Sequence, residues 1–180
     1  MREIYQEIYS KNLANYGRAD KDRCPGVRLF PQYRHWLKGL IIDMGSGTGD
    51  TVRAMRQAGY QVDGMDQVSL DNGMLVGDIT VSTPLLEEYD TAVCIDVMEH
   101  ISDEDLTGLM MNLQKCQRQV ITVYSGSNLA VVNGKRVELH INQKPMAVWD
   151  RLIKAAFIIK ETIRIKSTQT LYLCETLVRP

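Results

Sequence analysis

The chain has 180 residues, 44% of them hydrophobic and 24% charged, with a formal net charge of -1, a length that suits one domain with a substantial core. No apolar run approaches the roughly 18 residues needed to span a membrane, and the leading MREIYQEIYSKN lacks the apolar segment of a signal peptide, so a cytoplasmic location is expected. Cys24, Cys94, Cys116 and Cys174 are scattered without C-x-x-C spacing, which argues against both a zinc site and a disulfide framework.

Ile4, Tyr5, Ile8 and Tyr9 recur at helical spacing and predict a leading helix over Arg2 to Asn15. Asp20 to Pro31, with Cys24-Pro25-Gly26 and a second proline, is expected to be irregular. Leu40 to Met44 reads as a short buried strand that runs into Gly45, Gly47 and Gly49, and Asp50 to Ala58 reads as a helix. Tyr60 to Asp66 and Leu75 to Ile79 follow as strands. Only QVSLDNGMLV separates Asp66 from Gly77, which is too short for a full crossover of about a dozen residues, so a single turn or loop is expected there. A fourth strand begins near Tyr89. Ser102 followed by three acids caps a helix to about Lys115, because the hydroxyl and the carboxylates suit the positive end of a helix dipole. Gln119 to Tyr124 reads as a fifth strand. Pro145 opens a helix with Trp149, Leu152, Ile153 and Ala156 on one face, and Ile158 to Ile165 with Thr170 to Val178 closes the chain as an antiparallel pair. The alternation predicts an α/β architecture with a mostly parallel sheet.

The glycine run carries the most chemical information. Three glycines at alternate positions after a strand let the backbone turn sharply and approach a ligand closely. A dinucleotide loop of the form G-x-G-x-x-G would need a further glycine where Asp50 stands. Asp43, inside an apolar strand, must answer either loop amides or a ligand cation, since an acid is almost never buried without a partner. Asp66 lies about twenty residues beyond the first glycine, where a carboxylate can accept ribose hydroxyls. Asp66 and Asp78 can equally be strand-end aspartates bonded to turn amides. His100 and His140 are the natural proton acceptors near neutral pH.

The small net charge hides a segregation. Residues 1–40 carry +4, residues 41–105 carry -12 and residues 106–180 carry +7. An acidic middle suits a cationic cofactor, and basic ends suit an anionic acceptor or simply a solvated surface.

Asp43 with its G-x-G-x-G loop resembles motif I of the class I S-adenosylmethionine-dependent methyltransferases, and the stretches LVGDI and YDTAVCIDVMEHI resemble that family's third and fourth strands. The resemblance covers about Leu40 to Val178. It implies a three-layer Rossmann-like fold with an antiparallel C-terminal strand, in which the helix after the second strand is shortened or absent here. It also implies a cofactor-binding domain over 39–180, and the residues outside it, 1–38, are expected to form a leading helix and a lid-like segment. Asp43, Gly45, Ser46, Gly47, Thr48 and Gly49 would surround the methionine part of S-adenosylmethionine, Asp66 and Gln67 the ribose, Asp78 and Ile79 the adenine, with Asp96 at the exit of the fourth strand. His140 and His100 would be the catalytic residues, S-adenosylhomocysteine the product, and an O or N atom of a small molecule the acceptor, one that the basic ends of the chain would suit if it is anionic.

Four alternatives stay open. Asp96, Glu99, His100 and His140 resemble a set by which some branches of the family hold a divalent ion such as magnesium. An RNA-modifying, metal-assisted 2′-O-methyltransferase, a non-catalytic S-adenosylmethionine-binding module and an NAD-dependent oxidoreductase are the other three. The motifs of exocyclic-amine and cytosine-ring methylation are missing after the fourth strand, where IDVM stands, and no module for reading nucleic-acid sequence is visible. The arginines at 18, 23, 28 and 34 with His35, interleaved with Tyr16, Phe30, Tyr33 and Trp36, would clamp an acceptor if they fold over the site, or else merely cover the sheet.

Overall fold

Side-chain alternation within β1 (Ile41–Met44) decides the layering. Ile41 faces one side of the sheet and Ile42 and Met44 the other, and each side is buried. In the computed structural model, which describes residues 2–10, 24–68 and 73–177, the sheet continues through β2 (Val62–Asp66), β3 (Leu75–Val76), β4 (Thr91–Ile95) and β5 (Arg118–Tyr124). A hairpin of β6 (Leu129–Val132) and β7 (Lys135–Glu138) stands apart from it. The long β8 (Phe157–Lys166) and β9 (Gln169–Thr176) complete the sheet in the order β3-β2-β1-β4-β5-β9-β8. Strands β1 to β5 are parallel, and β9 runs antiparallel to both its neighbours.

Five α-helices are present among the described residues: α1 (Arg2–Ser10), α2 (Pro25–Tyr33), α3 (Asp50–Gln57), α4 (Asp103–Leu113) and α5 (Met146–Ala156). On one face α4 and α5 bury Leu106, Leu109, Leu113, Trp149 and Ile153 against Ile42, Cys94 and Ile121. On the other, α2 and α3 bury Leu29, Tyr33, Val52 and Met55 against Ile41, Val93 and Val120. Each such side chain contributes about 1.5–3 kcal/mol of transfer free energy. A third cluster joins Tyr5, Ile8 and Tyr9 of α1 to Ala130 and Val132 of the hairpin and to Leu139. It caps the carboxyl end of the sheet, because Tyr9 sits over the glycine run and Tyr5 reaches His100. No helix among the described residues is long and apolar enough to cross a membrane.

Most expected elements occur where the pattern places them, including the Ser102 cap, whose hydroxyl accepts the Asp105 N–H at 3.2 Å. Three differ. The segment expected to be irregular up to Pro31 contains α2, because Pro25 takes the first helical position, where its missing N–H costs nothing. Gly26 lets that helix lie directly on α3, since a Cβ there would stand 2.1 Å from Thr51 Oγ1. The third strand shrinks to two residues at the sheet edge. The hairpin β6–β7 occupies a stretch read only as a connection. Residues 11–23, 69–72 and 178–180, which include the end of the expected leading helix and part of the short second crossover, lie outside the described residues.

Gly108, within α4, abuts the backbone of Thr80, and a Cβ there would lie 2.0 Å from the Thr80 carbonyl oxygen. Propensity alone predicts that Gly108→Ala stabilises a helix by about 1 kcal/mol. Here the sign reverses, and urea denaturation of Gly108→Ala is expected to show a loss of about 1–3 kcal/mol.

Candidate functional site

The parallel strands deliver their carboxyl ends to one edge of the sheet, and the loops leaving β1, β2 and β4 meet there. The Gly45 and Ser46 N–H groups both donate to the Met65 carbonyl, at 2.8 and 3.1 Å, which ties the glycine run to the end of β2. Gly45 has φ +78°, and a Cβ on it would meet Val97 Cγ2 at 2.6 Å. Gly49 (φ +74°) then starts α3. At these positions glycine is required by conformation and by the approach of Val97.

Two adjoining cavities open on this edge. One, of about 440 Å³, is lined by Asp66, Gln67, Asp78, Ile79, His100 and Ser102 among others. The second, of about 430 Å³, is lined by Asp43, Ser46, Thr48, Glu99, Tyr124 and His140, with Arg28, Lys166 and Gln169. Tyr9, Gly45 and Asp96 belong to both. The expected cofactor residues are thus brought together around connected spaces, except Gly49, which turns the chain behind them.

Asp43 is 3% exposed, and its carboxyl makes no hydrogen bond among the described residues. Burial, and secondarily the nearby Asp66, push its pKa up to about 7. The Ser46 hydroxyl is likewise buried without a partner. Asp66 accepts the Gly47 N–H at 2.9 Å and the Val68 N–H at 3.0 Å, so it serves the turn amides while still lining the cavity. Burial nevertheless holds its pKa above the ordinary value. Asp78 accepts the Thr80 N–H and hydroxyl at 2.9 and 2.7 Å, as an exposed turn residue, and it also lines the cavity.

Asp96 is one of two non-glycine residues with positive φ (+52°) among those described, a conformation that costs free energy and persists only where neighbours enforce it. The Thr122 hydroxyl donates to its Oδ1 at 2.6 Å while accepting its N–H at 2.9 Å, and Gln169 Nε2 donates to both its oxygens at 3.0 and 2.8 Å. Strand β9 therefore holds Asp96 between the two cavities.

The two histidines are oriented by backbone carbonyls. His140 Nδ1 lies against the Gly126 carbonyl, and His100 Nδ1 lies 2.9 Å from the Leu139 carbonyl and 2.6 Å from the Tyr5 hydroxyl. A carbonyl only accepts, so each Nδ1 carries the proton and each Nε2 presents a lone pair. The rings meet edge to face with centroids 4.5 Å apart. Burial, and secondarily His140, lower the His100 pKa to about 4. Glu99 is fully buried. Its Oε1 accepts the Tyr124 N–H at 3.1 Å, its Oε2 has no partner, and burial raises its pKa well above the ordinary value. One ligand atom from each of Glu99, His100 and His140 lies within 4.8 Å of the others. Asp96 is not in that group.

Several lining residues were not singled out in the sequence: Tyr9, Tyr124, Gln169 and Lys166 reach the site by topology alone. The hairpin had a signal, the Asn133-Gly134 pair between alternating residues, and both adopt positive φ, +50° and +75°, as a two-residue turn requires. Of the described members of the expected arginine and aromatic clamp, only Arg28 lines the cavities. His35 pairs with Glu161, Phe30 and Tyr33 pack into the core, and Trp36 stacks with Arg118. Tyr16, Arg18 and Arg23 lie outside the described residues.

Residues 3–132 match the family model described as a methyltransferase domain. No curated protein matches the chain significantly. Among solved structures, the PH0226 protein of Pyrococcus horikoshii OT3 is similar with a TM-score of 0.72 at 15% identity, over 94% of this chain and 98% of that one. The DhpI structure, a complex with S-adenosylhomocysteine, is similar with a TM-score of 0.72 at 14% identity, over 98% and 95%. The 1,6-didemethyltoxoflavin-N1-methyltransferase of Burkholderia thailandensis, solved with its namesake compound and S-adenosylhomocysteine, has a TM-score of 0.69 at 14% identity, over 97% and 86%. These likenesses establish the fold.

The desolvated Asp43 gives a stability signature with a definite sign. An unfolded carboxyl ionises near 3.8, whereas the folded one stays protonated to about 7. As pH rises between those values the unfolded state loses a proton that the native state keeps, so the native state is penalised. Asp43→Asn is expected to be more stable than the parent by an amount that grows from pH 4 to 7 toward a few kcal/mol and is flat above, measured by urea denaturation at a series of pH values.

Proposed function

Because the chain belongs to the methyltransferase family whose model it matches over 3–132, we propose that it transfers a methyl group from S-adenosylmethionine to an O or N atom of a small-molecule acceptor. The observation that carries the cofactor is the unpartnered Asp43 carboxyl beside the unpartnered Ser46 hydroxyl, at a glycine run where a Cβ on Gly45 would strike Val97. A buried acid without a partner fits a ligand cation, and the ammonium group of S-adenosylmethionine supplies one. Asp66 and Gln67 would take the ribose hydroxyls, and Asp78 and Ile79 the adenine, in the cavity they line.

When bound, the cofactor supplies a methyl group already activated by positive sulfur. The chain's own residues then have three tasks. Asp96, fixed between the cavities by Thr122 and Gln169, orients groups at their junction. Helix α1 excludes water, Tyr9 lining both cavities, so within the segment 1–38 it is α1 that acts as a lid over the domain of 39–180, whereas α2 packs into the core. His140, with Nδ1 committed to Gly126, offers Nε2 to take a proton from the acceptor. His100 lines the other cavity and supports His140 through its ring contact.

A second reading is favoured by the convergence of Glu99, His100 and His140. The orphaned Glu99 Oε2 and two carbonyl-fixed imidazoles fit a divalent ion, whose ligating histidines commonly donate their other N–H to a carbonyl. Such an ion would orient and acidify an acceptor hydroxyl, as an RNA 2′-O-methyltransferase would need. Asp96, committed to Gln169 and Thr122, would stay out of the set.

Thermal-shift measurements are expected to show stabilisation by S-adenosylmethionine and S-adenosylhomocysteine but not by NAD, through mass action. In acceptor screens His140→Ala should lower turnover by about 10²–10⁴ while leaving S-adenosylhomocysteine binding intact. Binding without turnover on any acceptor would favour a sequestering module, and stabilisation by NAD alone would favour an oxidoreductase. The metal reading is decided by titrating Mg²⁺ and Mn²⁺ calorimetrically into the protein and its Glu99→Gln variant. Saturable binding lost in the variant supports the ion, and activity indifferent to a chelator sinks it.

A further inference from the structure

Away from the two cavities, several basic side chains are paired with acids. Arg53 pairs with Asp50, Arg56 with Asp63, Lys144 with Asp103, Lys160 with Glu175 and Arg164 with Asp150. Arg28 and Lys166 both line the second cavity, yet neither forms an ion pair among the described residues. The guanidinium of Arg28 makes one hydrogen bond, donating to Gln169 Oε1 at 3.3 Å. That contact anchors Arg28 without neutralising it. The cavity's acids form no ion pair with the two cations among the described residues. Asp96 bonds Thr122 and Gln169 and sets one carboxylate against two cations, while Asp43 and Glu99 are deeply buried carboxyls that desolvation favours in the neutral form.

Their place in the fold separates them from the residues assigned to the nucleoside. Asp66 and Asp78 lie at the β2–β3 edge, whereas Lys166 ends β8 and Gln169 begins β9 at the opposite edge. Arg28 comes from the basic first forty residues and Lys166 from the basic last part, so one cation from each basic end of the chain reaches the same cavity. We propose that the methyl acceptor carries a carboxylate or phosphate group, and that Arg28 and Lys166 bind this anion at the β8–β9 side of the cavity. The inference rests on the methyl-transfer reading and narrows its substrate class. Arg28 offers a planar set of donors suited to such a group, and Lys166 a point charge. An anion bound there leaves the rest of the acceptor to extend toward His140, which lines the same cavity.

The test uses the full chain saturated with S-adenosylhomocysteine. Inorganic phosphate, 4-hydroxybenzoate and the neutral 4-hydroxybenzamide are titrated calorimetrically into the parent and into Arg28→Gln, Lys166→Gln and, as a surface control, Lys135→Gln. Phosphate or the benzoate is expected to bind saturably and the amide not at all. The cavity variants should weaken the anion by about tenfold, as the loss of a charge-assisted hydrogen bond does, with the control unchanged. Affinity for S-adenosylhomocysteine should stay the same in all four proteins, which also verifies their folding. The proposal is overturned if neither anion binds the parent, if the cavity variants bind anions as the parent does, or if they lose S-adenosylhomocysteine instead. In the last case the cations serve the cofactor's own carboxylate. Failure of the parent to bind S-adenosylhomocysteine would defeat the methyl-transfer reading itself, and the anion titrations, repeated without it, would still judge the pair.

Discussion

Asp43 occupies the third position of a strand whose other members are fully buried, and nothing among the described residues donates a hydrogen bond to its carboxyl. A group in that state is a cost to folding, so the surroundings must be rigid enough to keep it there. They are. Parallel neighbours β2 and β4 pin β1 on both sides, and two apolar layers close the faces. The glycine run is tied to Met65 and, through Asp66, at Gly47. The same bonds that prevent Asp43 from relaxing also define the cavity wall, so the stability deficit and the place of this carboxyl in the wall are one feature.

The layered sheet was legible because hydrophobic periodicity is a local signal, and the long strands and the helices α3, α4 and α5 needed only their own residues to declare themselves, unlike the β6–β7 hairpin and the two-residue β3. The α2 region misled because proline and glycine punctuate chains in general, while at Pro25 and Gly26 they start a helix and permit its contact with Thr51. The residues expected to hold a cofactor come together around the cavities for a related reason, since a loop, a strand end and a turn keep fixed offsets along the chain. The rest of the cavity lining was not legible. Gln169 meets Asp96 across 73 positions of sequence, and Tyr9 reaches Gly47 from a helix whose connection to it spans the undescribed residues 11–23. Such meetings are decided by sheet order, which periodicity does not encode.

Histidine roles show the same division. Residue type marked His100 and His140 as proton carriers, but which nitrogen is available depends on two carbonyls, Leu139 and Gly126, contributed by the segment around the hairpin. With each Nδ1–H committed to a carbonyl, Nε2 is the nitrogen left to face the cavities, and the low pKa of His100 keeps that ring neutral. Base catalysis and metal ligation both need this tautomer. The structure thus prepares one chemical condition that either reading can use.

The reversed strand β9 has a consequence for how the protein comes to exist. It lies between β5 and β8, both of which precede it in the chain, and its first residue holds Asp96 in a left-handed conformation that Asp96 would otherwise leave. During synthesis β5 and β8 emerge without the strand that joins them. Pairing with β8 is a local hairpin, but pairing with β5 is not, and non-local pairing is slow because chain entropy is lost before contacts repay it. The junction of the two cavities is therefore among the last parts of the fold to take shape, and a nascent chain can form its apolar layers well before it has a site to work with.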